Sequence, residues 1–507
     1  MFKRVLIANR GEIAVRIAQT LQEMGITAVG VHSEPDRRAL HVRRMDEAYP
    51  LEGKTSGESY LRGDKIIQIA KSHGIDAIHP GYGFLSENED FAQACLDAGL
   101  VFIGPTPSVI RDMGDKIIAK RTMAAAGVPV VPGWSSDGPA DVETVRREAG
   151  KIGYPVLIKA AAGGGGKGMR VVNSATELPA ALESAQREAG NAFGDNRIFL
   201  EKYITEARHV EIQIFGDHHG NAVHLFEREC SIQRRHQKII EESPCPALSP
   251  AVRAKMGEAG VTAAKAMGYA NAGTVEFMLT DSGEFYFLEV NTRLQVEHPV
   301  TEMVVRRDLV RAQVLVAAGE KLPFRQEELT QTGHAIECRI YAEDAAKGFL
   351  PSIGTIAHYA PPVGPNIRID SGVTAGSEIS VYYDPMLAKL IAWGRTREEA
   401  IEKTAWALSR YAVMGVTTNI EFLANVVRHP EFRAGRTTTR FLEKHAIAPN
   451  VGETVPDAAY VAAALAARGA RGGGTGRSAA LGTNGLGASV GGGKGGPWAG
   501  ASGWRAF

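Results

Sequence analysis

The first hundred residues alternate short apolar runs with amphipathic segments. The apolar run VLIAN at 5–9 precedes a segment with helical spacing at 11–25, and a second apolar run follows at 27–32. The same order returns between residues 64 and 104, where two helical patterns alternate with the strand patterns DAIHP and LVFIG. Strands that alternate with helices at this spacing predict an α/β domain built on a doubly wound, mostly parallel sheet.

The pattern then changes twice. Prolines in VPVVPGW, after Gly127, begin a small module that ends at about Glu201. From about Tyr203 to Ala448, longer runs such as HVEIQIFG alternate apolar and polar residues, which predicts an antiparallel α+β domain. We therefore expect domains at residues 1–115, 116–204 and 205–448. Residues 449–507 predict a helix and then a Gly/Ala/Ser-rich tail, too poor in bulky apolar residues to fold alone.

Charge and cysteine content narrow the class of protein. Lys+Arg and Asp+Glu both number 57 among 507 residues, so no basic surplus favours a nucleic acid partner. No apolar stretch is long enough for a membrane span, and the N-terminus lacks a signal-peptide core. The four cysteines form no C-x-x-C pair, which favours a reducing compartment without disulfides. We expect a cytoplasmic protein without nucleic acid or membrane partners.

The segment IKAAAGGGGKGMRVV at 158–172 forms a glycine-rich loop, with four consecutive glycines between Lys159 and Lys167. It does not match the P-loop pattern, because Gly168 stands where Ser or Thr would hold a magnesium ion. Bare backbone N–H groups with a lysine on either side predict a mobile flap that closes over an anion. A flexible turn between two strands is the alternative.

The segment GTVEFMLTDSGEFYFLEVN predicts a β-hairpin. If Ser282 and Gly283 form a two-residue loop, Glu276 lies directly opposite Glu289. Facing carboxylates are destabilising without a cation between them, and Asn291 adds a third oxygen on the same side. Such oxygens suit magnesium or manganese. The alternative is an offset hairpin with both glutamates solvated.

Three further segments carry polar side chains in otherwise apolar surroundings. The first set alternates on one face of a strand predicted to continue from Asn291, and such a polar row is costly unless it binds something. Taken singly, each residue is more typical of a surface ion pair or a satisfied core group. The residues are Arg293, Gln295 and Glu297 beyond the hairpin, Gln233, His236 and Lys238 in SIQRRHQKII, and Arg339 in HAIECRIYAED.

Taken together, the segments resemble biotin carboxylase, the ATP-grasp component of biotin-dependent carboxylases. The resemblance covers about residues 2–447 and includes, in the family's order, IANRGEIAVRI, HPGYGFLSEN, MGDKIIAK, the glycine loop, ECSIQRRHQK, NTRLQVEHPVTE, ECRIYAED and YYDPMLAKL. It implies an ATP-grasp fold with an N-terminal parallel-sheet domain, a small mobile lid and a C-terminal antiparallel domain. One departure is Arg306-Arg307, where the family usually has a glycine and an aliphatic residue.

The resemblance also implies roles for single residues. Those implied to bind ATP are Lys116 and Lys159 at the phosphates, Gly164, Gly165, Gly166, Lys167 and Gly168 in the flap, Glu201, Lys202 and Ile204 in the hinge, and His209, Gln233 and His236 at the ribose and base. Those implied at the metal are Glu276, Glu289 and Asn291, and those at bicarbonate are Lys238, Arg293, Gln295 and the backbone of Val296. Glu297 resembles the general base, and Arg339 the residue that stabilises the biotin enolate.

The implied reaction uses ATP and Mg²⁺ or Mn²⁺ to phosphorylate bicarbonate to carboxyphosphate, which then carboxylates biotin. A closed flap would keep water from the intermediate. One alternative is another ATP-grasp ligase that phosphorylates bicarbonate, which the EHPVTE and CRIYAED segments disfavour. A second is a non-catalytic nucleotide-binding subunit, which the presence of Lys238, Glu297 and Arg339 disfavours.

The expected partners depend on whether the chain carries the sequence to which biotin is attached. No Met-Lys-Met occurs, so we expect biotin on a separate biotin carboxyl carrier protein. The resemblance further implies a carboxyltransferase subunit, of an acetyl-CoA or propionyl-CoA type carboxylase, and a homodimer. The tail beyond about Gly469, with Trp498 and Trp504, either docks these partners or is a disordered tether.

Overall fold

The computed structural model describes residues 1–135, 138, 141–160, 169–235, 237–447 and 461. The chain divides into two units, Met1–Pro449 and Asn450–Phe507, and all elements below belong to the first. No described helix has both the length and the apolar character needed to cross a membrane. All four cysteines are buried and free, as the sequence predicts.

The N-terminal part is the predicted parallel sheet with helices around it. Its strands lie in the order β3-β2-β1-β4-β5, and every neighbouring pair is parallel. The loops after the neighbouring strands β1 and β4 are joined, because Asn9 Nδ2 donates to the carbonyls of Pro80 and Tyr82. The elements are β1 (Arg4–Ile7), α1 (Gly11–Glu23), β2 (Thr27–His32), α2 (Leu40–Arg44), β3 (Glu47–Pro50), α3 (Gly63–Ser72), β4 (Ala77–His79), α4 (Glu89–Asp97), β5 (Val101–Phe102), α5 (Pro107–Gly114) and α6 (Lys116–Ala125).

A small antiparallel module follows, with sheet order β6-β9-β7-β8. Its apolar residues form a core of their own, which includes Val145, Ile158 and Leu182. A separate core makes the module a distinct packing unit, as the predicted lid requires. Its elements are β6 (Gly133–Ser135), α7 (Val142–Ile152), β7 (Val156–Ala160), β8 (Arg170–Val172), α8 (Leu178–Phe193) and β9 (Ile198–Lys202).

The largest sheet is antiparallel and has the strand order β14-β13-β10-β11-β12-β15-β22-β20. On its first three strands, alternate residues such as Val210, Val275 and Phe277 pack with the helix α9, which leaves the polar residues on the opposite face. The elements up to its sixth strand are β10 (Arg208–Gly216), β11 (Ala222–Arg234), β12 (Gln237–Ser243), α9 (Pro250–Ala266), β13 (Asn271–Leu279), β14 (Phe285–Asn291), α10 (His298–Val305), α11 (Leu309–Ala317) and β15 (His334–Tyr341), with a 3₁₀ turn at Gln326–Glu328.

The remaining elements complete this sheet and cover it. Helices α12 and α13 share a core with β15 and β22, in which Ile336, Leu390, Ile401 and Leu423 are fully buried. These elements are β16 (Glu343–Asp344), β17 (Leu350–Pro351), β18 (Gly354–Thr355), β19 (His358–Ala360), β20 (Ile367–Ser371), β21 (Glu378–Ile379), β22 (Met386–Gly394), α12 (Arg397–Arg410), β23 (Ala412–Met414), α13 (Ile420–Arg428), α14 (Pro430–Arg433) and α15 (Phe441–Lys444), with a 3₁₀ turn at Ala345–Lys347.

Candidate active site

A row of charged residues crosses four neighbouring strands of the large sheet. Glu289 on β14 lies opposite Glu276 on β13, Glu276 lies opposite Glu211 on β10, and Glu211 lies opposite Arg228 on β11. The predicted pairing of Glu276 with Glu289 is therefore confirmed. Three carboxylates in one row repel each other, so the arrangement requires cations beside it.

The hairpin reaches the predicted pairing by a different route. Its loop has three residues rather than two, because the N–H of Thr280 donates to the carbonyl of Glu284 at 2.9 Å. Gly283 takes a positive φ of 85° in this loop, which glycine adopts without strain. A bulge at Leu288 on β14, opposite Glu276 and Phe277 of β13, then shifts the register by one residue. The predicted turn was wrong, and the bulge restores the predicted pair.

Lys238 supplies the central cation. Its Nζ lies 2.6 Å from Glu211, 2.8 Å from Glu276 and 2.7 Å from Glu297. Although burial opposes the charged form, these carboxylates raise the pKa of Lys238 well above its ordinary value. Burial likewise favours neutral Glu297, yet Lys238 and then Arg339 lower the pKa of that carboxyl below its ordinary value. An ionised, buried Glu297 is able to accept a proton from a bound acid.

Arg339 connects Glu297 to a further carboxylate. Its Nη2 donates to Glu297 Oε2 at 3.0 Å, and its Nε donates to Glu241 Oε1 at 2.6 Å. Burial raises the pKa of Glu241 to about 7, against the opposing charge of Arg339. Arg339 lies on β15 as predicted and lines the same cavity as Lys238.

The polar row beyond the hairpin lies on a loop, not on a strand. The prediction of a continuing strand was wrong, because β14 ends at Asn291 and residues 292–297 turn into α10. The loop still gathers the predicted side chains, since Arg293 donates to Gln295 Oε1 at 2.9 Å and to Asn291 Oδ1 at 3.2 Å. Glu87 anchors Arg293 from the N-terminal domain at 2.9 Å.

The predicted metal ligands differ in how many donors already hold them. Glu276 accepts hydrogen bonds from Lys238, Asn291 and Gln295, all within 3.2 Å, and its Oε2 forms an ion pair with His209 Nε2 at 3.0 Å. The side chain of Glu289 is 42% exposed, and its nearest cation is Lys116 Nζ at 4.0 Å. The two facing carboxylates and the adjacent amide fit a hard divalent cation. In this arrangement the NH₂ group of Asn291 faces Glu276, so coordination by Asn291 would need its oxygen turned toward the cation.

Partial burial and the negative charge of the neighbouring Glu276 raise the pKa of Glu289. A bound cation would relieve this repulsion between the two carboxylates. For His209 the carboxylate of Glu276 favours the charged form instead of the neutral one. Burial disfavours its charged form, but Glu276 raises the pKa of His209 to about 9, so the imidazolium lies 3.0 Å from Glu276 Oε2.

Other clusters of metal-type ligands surround Lys238. Among the described residues, His209, Glu211 and Glu276 form one such group, and Glu211, Cys230 and Glu297 form another. The ammonium group of Lys238 already lies between the carboxylates of both groups. We therefore interpret these clusters as the carboxylate cage of a lysine, not as separate metal sites.

A cavity of about 1150 Å³ extends from these residues toward the small module. Its lining combines the charged groups with apolar side chains that include Leu157, Met278 and Leu442, and apolar side chains of this kind suit a planar base. The predicted residues that line it are Lys116, Lys159, Ile204, His209, Gln233, Lys238, Glu276, Glu289, Asn291, Arg293, Gln295, Val296, Glu297 and Arg339.

Two predicted hinge residues have their side chains outside the cavity lining. Glu201 is buried and paired with Lys159 at 2.5 Å and with Lys120 at 2.9 Å. The Nζ of Lys202 donates to the carbonyls of Gly153 and Tyr154. The ammonium group of Lys159 is therefore neutralised by Glu201, and it would have to leave this carboxylate to reach a phosphate.

Some predicted residues lie outside the described part of the chain. They are Gly164, Gly165, Gly166, Lys167 and Gly168 of the glycine loop, His236, and the tail beyond Ile447 apart from Val461.

Sequence reasoning missed four residues that organise the site. Glu211 and Arg228 are fully buried, and Arg228 Nε donates to Glu211 Oε1 at 2.6 Å. Glu211 was detectable, because it alternates with apolar residues in HVEIQIFG just as Glu276 does in its own strand. Glu87 and Lys120 lie in the motifs HPGYGFLSEN and MGDKIIAK, but their contacts with Arg293 and Glu201 arise only from the tertiary fold.

The comparisons with known proteins agree with this geometry. The biotin carboxylase N-terminal domain profile matches residues 1–110, the carbamoyl-phosphate synthase L chain ATP-binding domain profile matches 115–325, and the biotin carboxylase C-terminal domain profile matches 337–444. The chain is 52% identical over 445 residues to a biotin carboxylase of Halalkalibacterium halodurans, covering 88% of this chain and 98% of that protein.

Other relatives are longer. The chain is 54% identical over 443 residues to the mitochondrial methylcrotonoyl-CoA carboxylase subunit alpha of Mus musculus, and this match covers 87% of the chain but 62% of that protein's length. The chain thus spans about three fifths of these α subunits.

Solved structures give the same result. The biotin carboxylase domain dimer of Hydrogenobacter thermophilus 2-oxoglutarate carboxylase, in complex with MgADP, ADP and bicarbonate, superposes with a TM-score of 0.84 at 49% identity and covers 88% of this chain and 98% of that chain. A biotin carboxylase from Campylobacter jejuni gives a TM-score of 0.85 at 46% identity, covering 88% of this chain and 99% of that chain. This chain therefore belongs to the biotin carboxylase family and has the ATP-grasp fold.

Proposed function

We propose that this chain carboxylates biotin on a carrier protein, using ATP and bicarbonate by way of carboxyphosphate. The observation that carries the proposal is the position of Lys238 among three carboxylates, with Arg339 bridging two of the site's carboxylates nearby. Lys238 and Arg339 line the same cavity as the apolar side chains that suit a nucleotide base. The 2-oxoglutarate carboxylase domain, which contains MgADP and bicarbonate, supports the choice of ligands.

Bicarbonate is a weak electrophile and must be activated. We propose that Arg293, Gln295 and the Val296 N–H hold it beside Lys238, and that the ionised Glu297 takes its proton. The lowered pKa of Glu297 keeps this carboxylate ready as the acceptor at neutral pH. Attack on the γ-phosphate of ATP would then give carboxyphosphate and ADP.

The nucleotide phosphates carry several negative charges, and we propose Lys116 and Lys159 as their cations. The apolar side chains of the cavity lining would hold the base, with Ile204, His209 and Gln233 beside it. Glu276, Glu289 and Asn291 would hold Mg²⁺ or Mn²⁺, which supplies charge neutralisation for phosphoryl transfer when bound.

Biotin must lose the proton of its ureido nitrogen before it attacks carbon dioxide. We propose that the phosphate released from carboxyphosphate takes this proton. Arg339 would hold the ureido oxygen as negative charge develops there. In the structure Arg339 is held by Glu241 and Glu297, so it is oriented before biotin binds.

The partners remain proposals. We propose that biotin arrives on a biotin carboxyl carrier protein and that a carboxyltransferase subunit completes the reaction. We also propose a homodimer, as in the 2-oxoglutarate carboxylase domain. The sequence predicts an acetyl-CoA or propionyl-CoA acceptor, and the identity with methylcrotonoyl-CoA carboxylase subunits adds methylcrotonoyl-CoA to the candidates.

The domain limits of 1–115, 116–204 and 205–448, the tail at 449–507 and the cytoplasmic location also remain predictions.

A ligase that transfers the activated carbon to ammonia instead of biotin is the second candidate, since the central profile matches a carbamoyl-phosphate synthase domain. One experiment separates the two. Bicarbonate-dependent ADP release is measured alone, with free biotin and with ammonium. We expect stimulation by biotin only. Stimulation by ammonium without a response to biotin would contradict the proposal.

A further inference from the structure

Lys389 is a fully buried cation next to the candidate site, and none of the proposed reaction steps uses it. It lies on β22, directly opposite Arg339 of β15 and Asp370 of β20. An isolated ammonium group inside a protein is strongly unfavourable, so its contacts need an explanation.

The contacts of Lys389 join three parts of the fold. Its Nζ lies 3.2 Å from Glu12 Oε1, at the start of α1, and 3.8 Å from Asp370. It also donates to the carbonyl oxygen of Val296 at 2.9 Å. Glu12 in turn accepts a hydrogen bond from the hydroxyl of Tyr82. One buried ammonium group therefore ties the N-terminal domain and the large sheet to the loop that precedes α10.

The position of Glu12 is fixed by close packing. Gly372 follows β20 and approaches the start of α1 so closely that a Cβ there would lie 2.6 Å from the Glu12 N atom. Only glycine allows this approach, so the end of β20 and the first turn of α1 are held together.

The Val296 carbonyl is a significant point of attachment. It belongs to the peptide group that joins Val296 to Glu297, so holding its oxygen restricts the backbone rotations on either side. Glu297 is the residue just before α10, with φ of −82° and ψ of 11°. Its carboxylate is held separately by Lys238 and Arg339. Backbone and side chain of the proposed base are thus each held by a buried cation.

A stabilising role alone does not account for this arrangement. Replacing a buried ion pair by apolar residues of similar size is often neutral or stabilising. Lys389 donates one of its hydrogen bonds to a backbone carbonyl of the loop that carries the proposed base. This contact is better suited to positioning the loop than to stabilising the fold.

We propose that Lys389, paired with Glu12, is a positioning residue that holds the Val296–Glu297 peptide group in the orientation needed for bicarbonate binding and deprotonation. The inference rests on the proposed function. It predicts that loss of Lys389 weakens the use of bicarbonate while nucleotide binding is retained, because Lys389 does not line the nucleotide cavity.

The test uses the full chain with Lys389→Met and with the double variant Glu12→Gln, Lys389→Met. The single variant leaves Glu12 buried without its lysine and is expected to lower the thermal midpoint. The double variant removes both charges, while the introduced amide oxygen is still able to accept from Tyr82, so the midpoint is expected to recover. Arg397→Met is the matched control, because it removes a largely buried cation whose partner, Glu242, lies away from the loop.

Initial rates of bicarbonate-dependent ATP cleavage are measured over bicarbonate and ATP concentrations, and ADP affinity is measured by calorimetry. We expect the KM for bicarbonate to rise about tenfold or more in both Lys389 variants, the scale of losing a hydrogen bond to a charged group. The KM for bicarbonate should not change in Arg397→Met, and ADP affinity should change less than about twofold in all three variants.

The inference would be overturned if the double variant recovers its stability and also keeps the wild-type KM for bicarbonate. It would also be overturned if the Lys389 variants lose bicarbonate binding and ADP binding equally. Wild-type protein that cleaves ATP without responding to bicarbonate would instead overturn the proposed function.

Discussion

Three carboxylates within 2.8 Å of Lys238 determine how single residues of the site behave. Glu276 accepts from three donors and forms an ion pair with His209, whereas the side chain of Glu289 on the facing strand is 42% exposed. Glu297 has a lowered pKa and Glu241 a raised one, although both contact Arg339. These differences give the two metal candidates and the two arginine-bound carboxylates separate experimental signatures.

Glu289→Gln should raise the magnesium concentration needed for half-maximal ATP cleavage without altering the fold. Its carboxylate faces the cavity, and the nearest cation is 4.0 Å away, so its loss breaks no short ion pair. Glu276→Gln should also weaken magnesium binding, and it should lower the thermal midpoint because it disturbs a buried, hydrogen-bonded network. Magnesium titrations and melting curves of both variants are the measurements. Unchanged magnesium dependence in both would contradict the proposed metal site.

Arg339→Ala should reduce biotin-dependent carboxylation far more than bicarbonate-dependent ATP cleavage, because its proposed charge partner is the biotin oxygen. A smaller loss of ATP cleavage is expected too, since Arg339 also holds Glu297 at 3.0 Å. Arg339→Lys is the matched variant, because it keeps the charge but cannot bind both carboxylates through one guanidinium. Both rates are measured on the same preparations. Equal losses in the two assays would argue against a role at biotin.

At the level of elements, the helix α10 ends at Val305 and is followed by Arg306, which has a left-handed backbone conformation with φ of 54° and ψ of 48°. Glycine adopts this conformation most readily, and the family usually has glycine here. Arg306 compensates in part, because its guanidinium lies 5.2 Å from the centre of the Trp393 ring. The strain and the ring contact work in opposite directions.

Replacing Arg306 separates these two contributions. Arg306→Ala loses the ring contact and keeps the strained backbone, so it should be less stable than the wild type. Arg306→Gly loses the same contact but relieves the strain, and it should be about 1 kcal/mol more stable than the alanine variant. Thermal unfolding of the three proteins gives the order. An alanine variant as stable as the glycine variant would show that the backbone there is not strained.

Element prediction from the sequence succeeded where one periodicity continued and failed where it was interrupted. The parallel sheet and the β13–β14 hairpin follow from regular alternation. The bulge at Leu288 on β14 has no sequence signal, because residues 285–288 are all apolar or aromatic and show no alternation that an extra residue would interrupt. The alternation of polar side chains predicts a strand at 292–297. The backbone turns there instead, which this alternation does not reveal.

At the level of the whole molecule, the site depends on residues from distant parts of the chain. Glu87 and Glu12 come from the N-terminal domain, Lys238 and Glu297 from the middle, and Arg339 and Lys389 from the C-terminal strands. The sequence could predict members that lie within recognisable motifs. It could not predict pairings such as Glu12 with Lys389, which only the packing of α1 against the large sheet creates.

The N-terminal domain should also lose stability in mild acid. Burial lowers the pKa of His41 to about 4 and that of His79 to about 3, from an ordinary value of 6.5. His79 Nδ1 accepts from the Gly81 N–H at 3.1 Å, which requires the unprotonated nitrogen. Below pH 6.5 the unfolded chain binds protons that the native histidines do not, so stability falls as pH decreases.

Between about pH 7.5 and about pH 5, each histidine should lower the free energy of unfolding by up to about 2 kcal/mol. Urea unfolding followed by a probe in the N-terminal domain measures the slope, and His79→Gln should make it shallower. An unchanged slope in this variant would contradict the assignment of His79 as a buried neutral group.

The central claim is that the chain forms carboxybiotin. The most direct measurement incubates the purified chain with ATP, magnesium, free biotin and ¹⁴C-labelled bicarbonate and follows the label. The account predicts acid-labile label on biotin that requires ATP and appears in step with ADP, and its loss in Glu297→Gln. ADP release without label on biotin, or label transferred to ammonia instead, would contradict it.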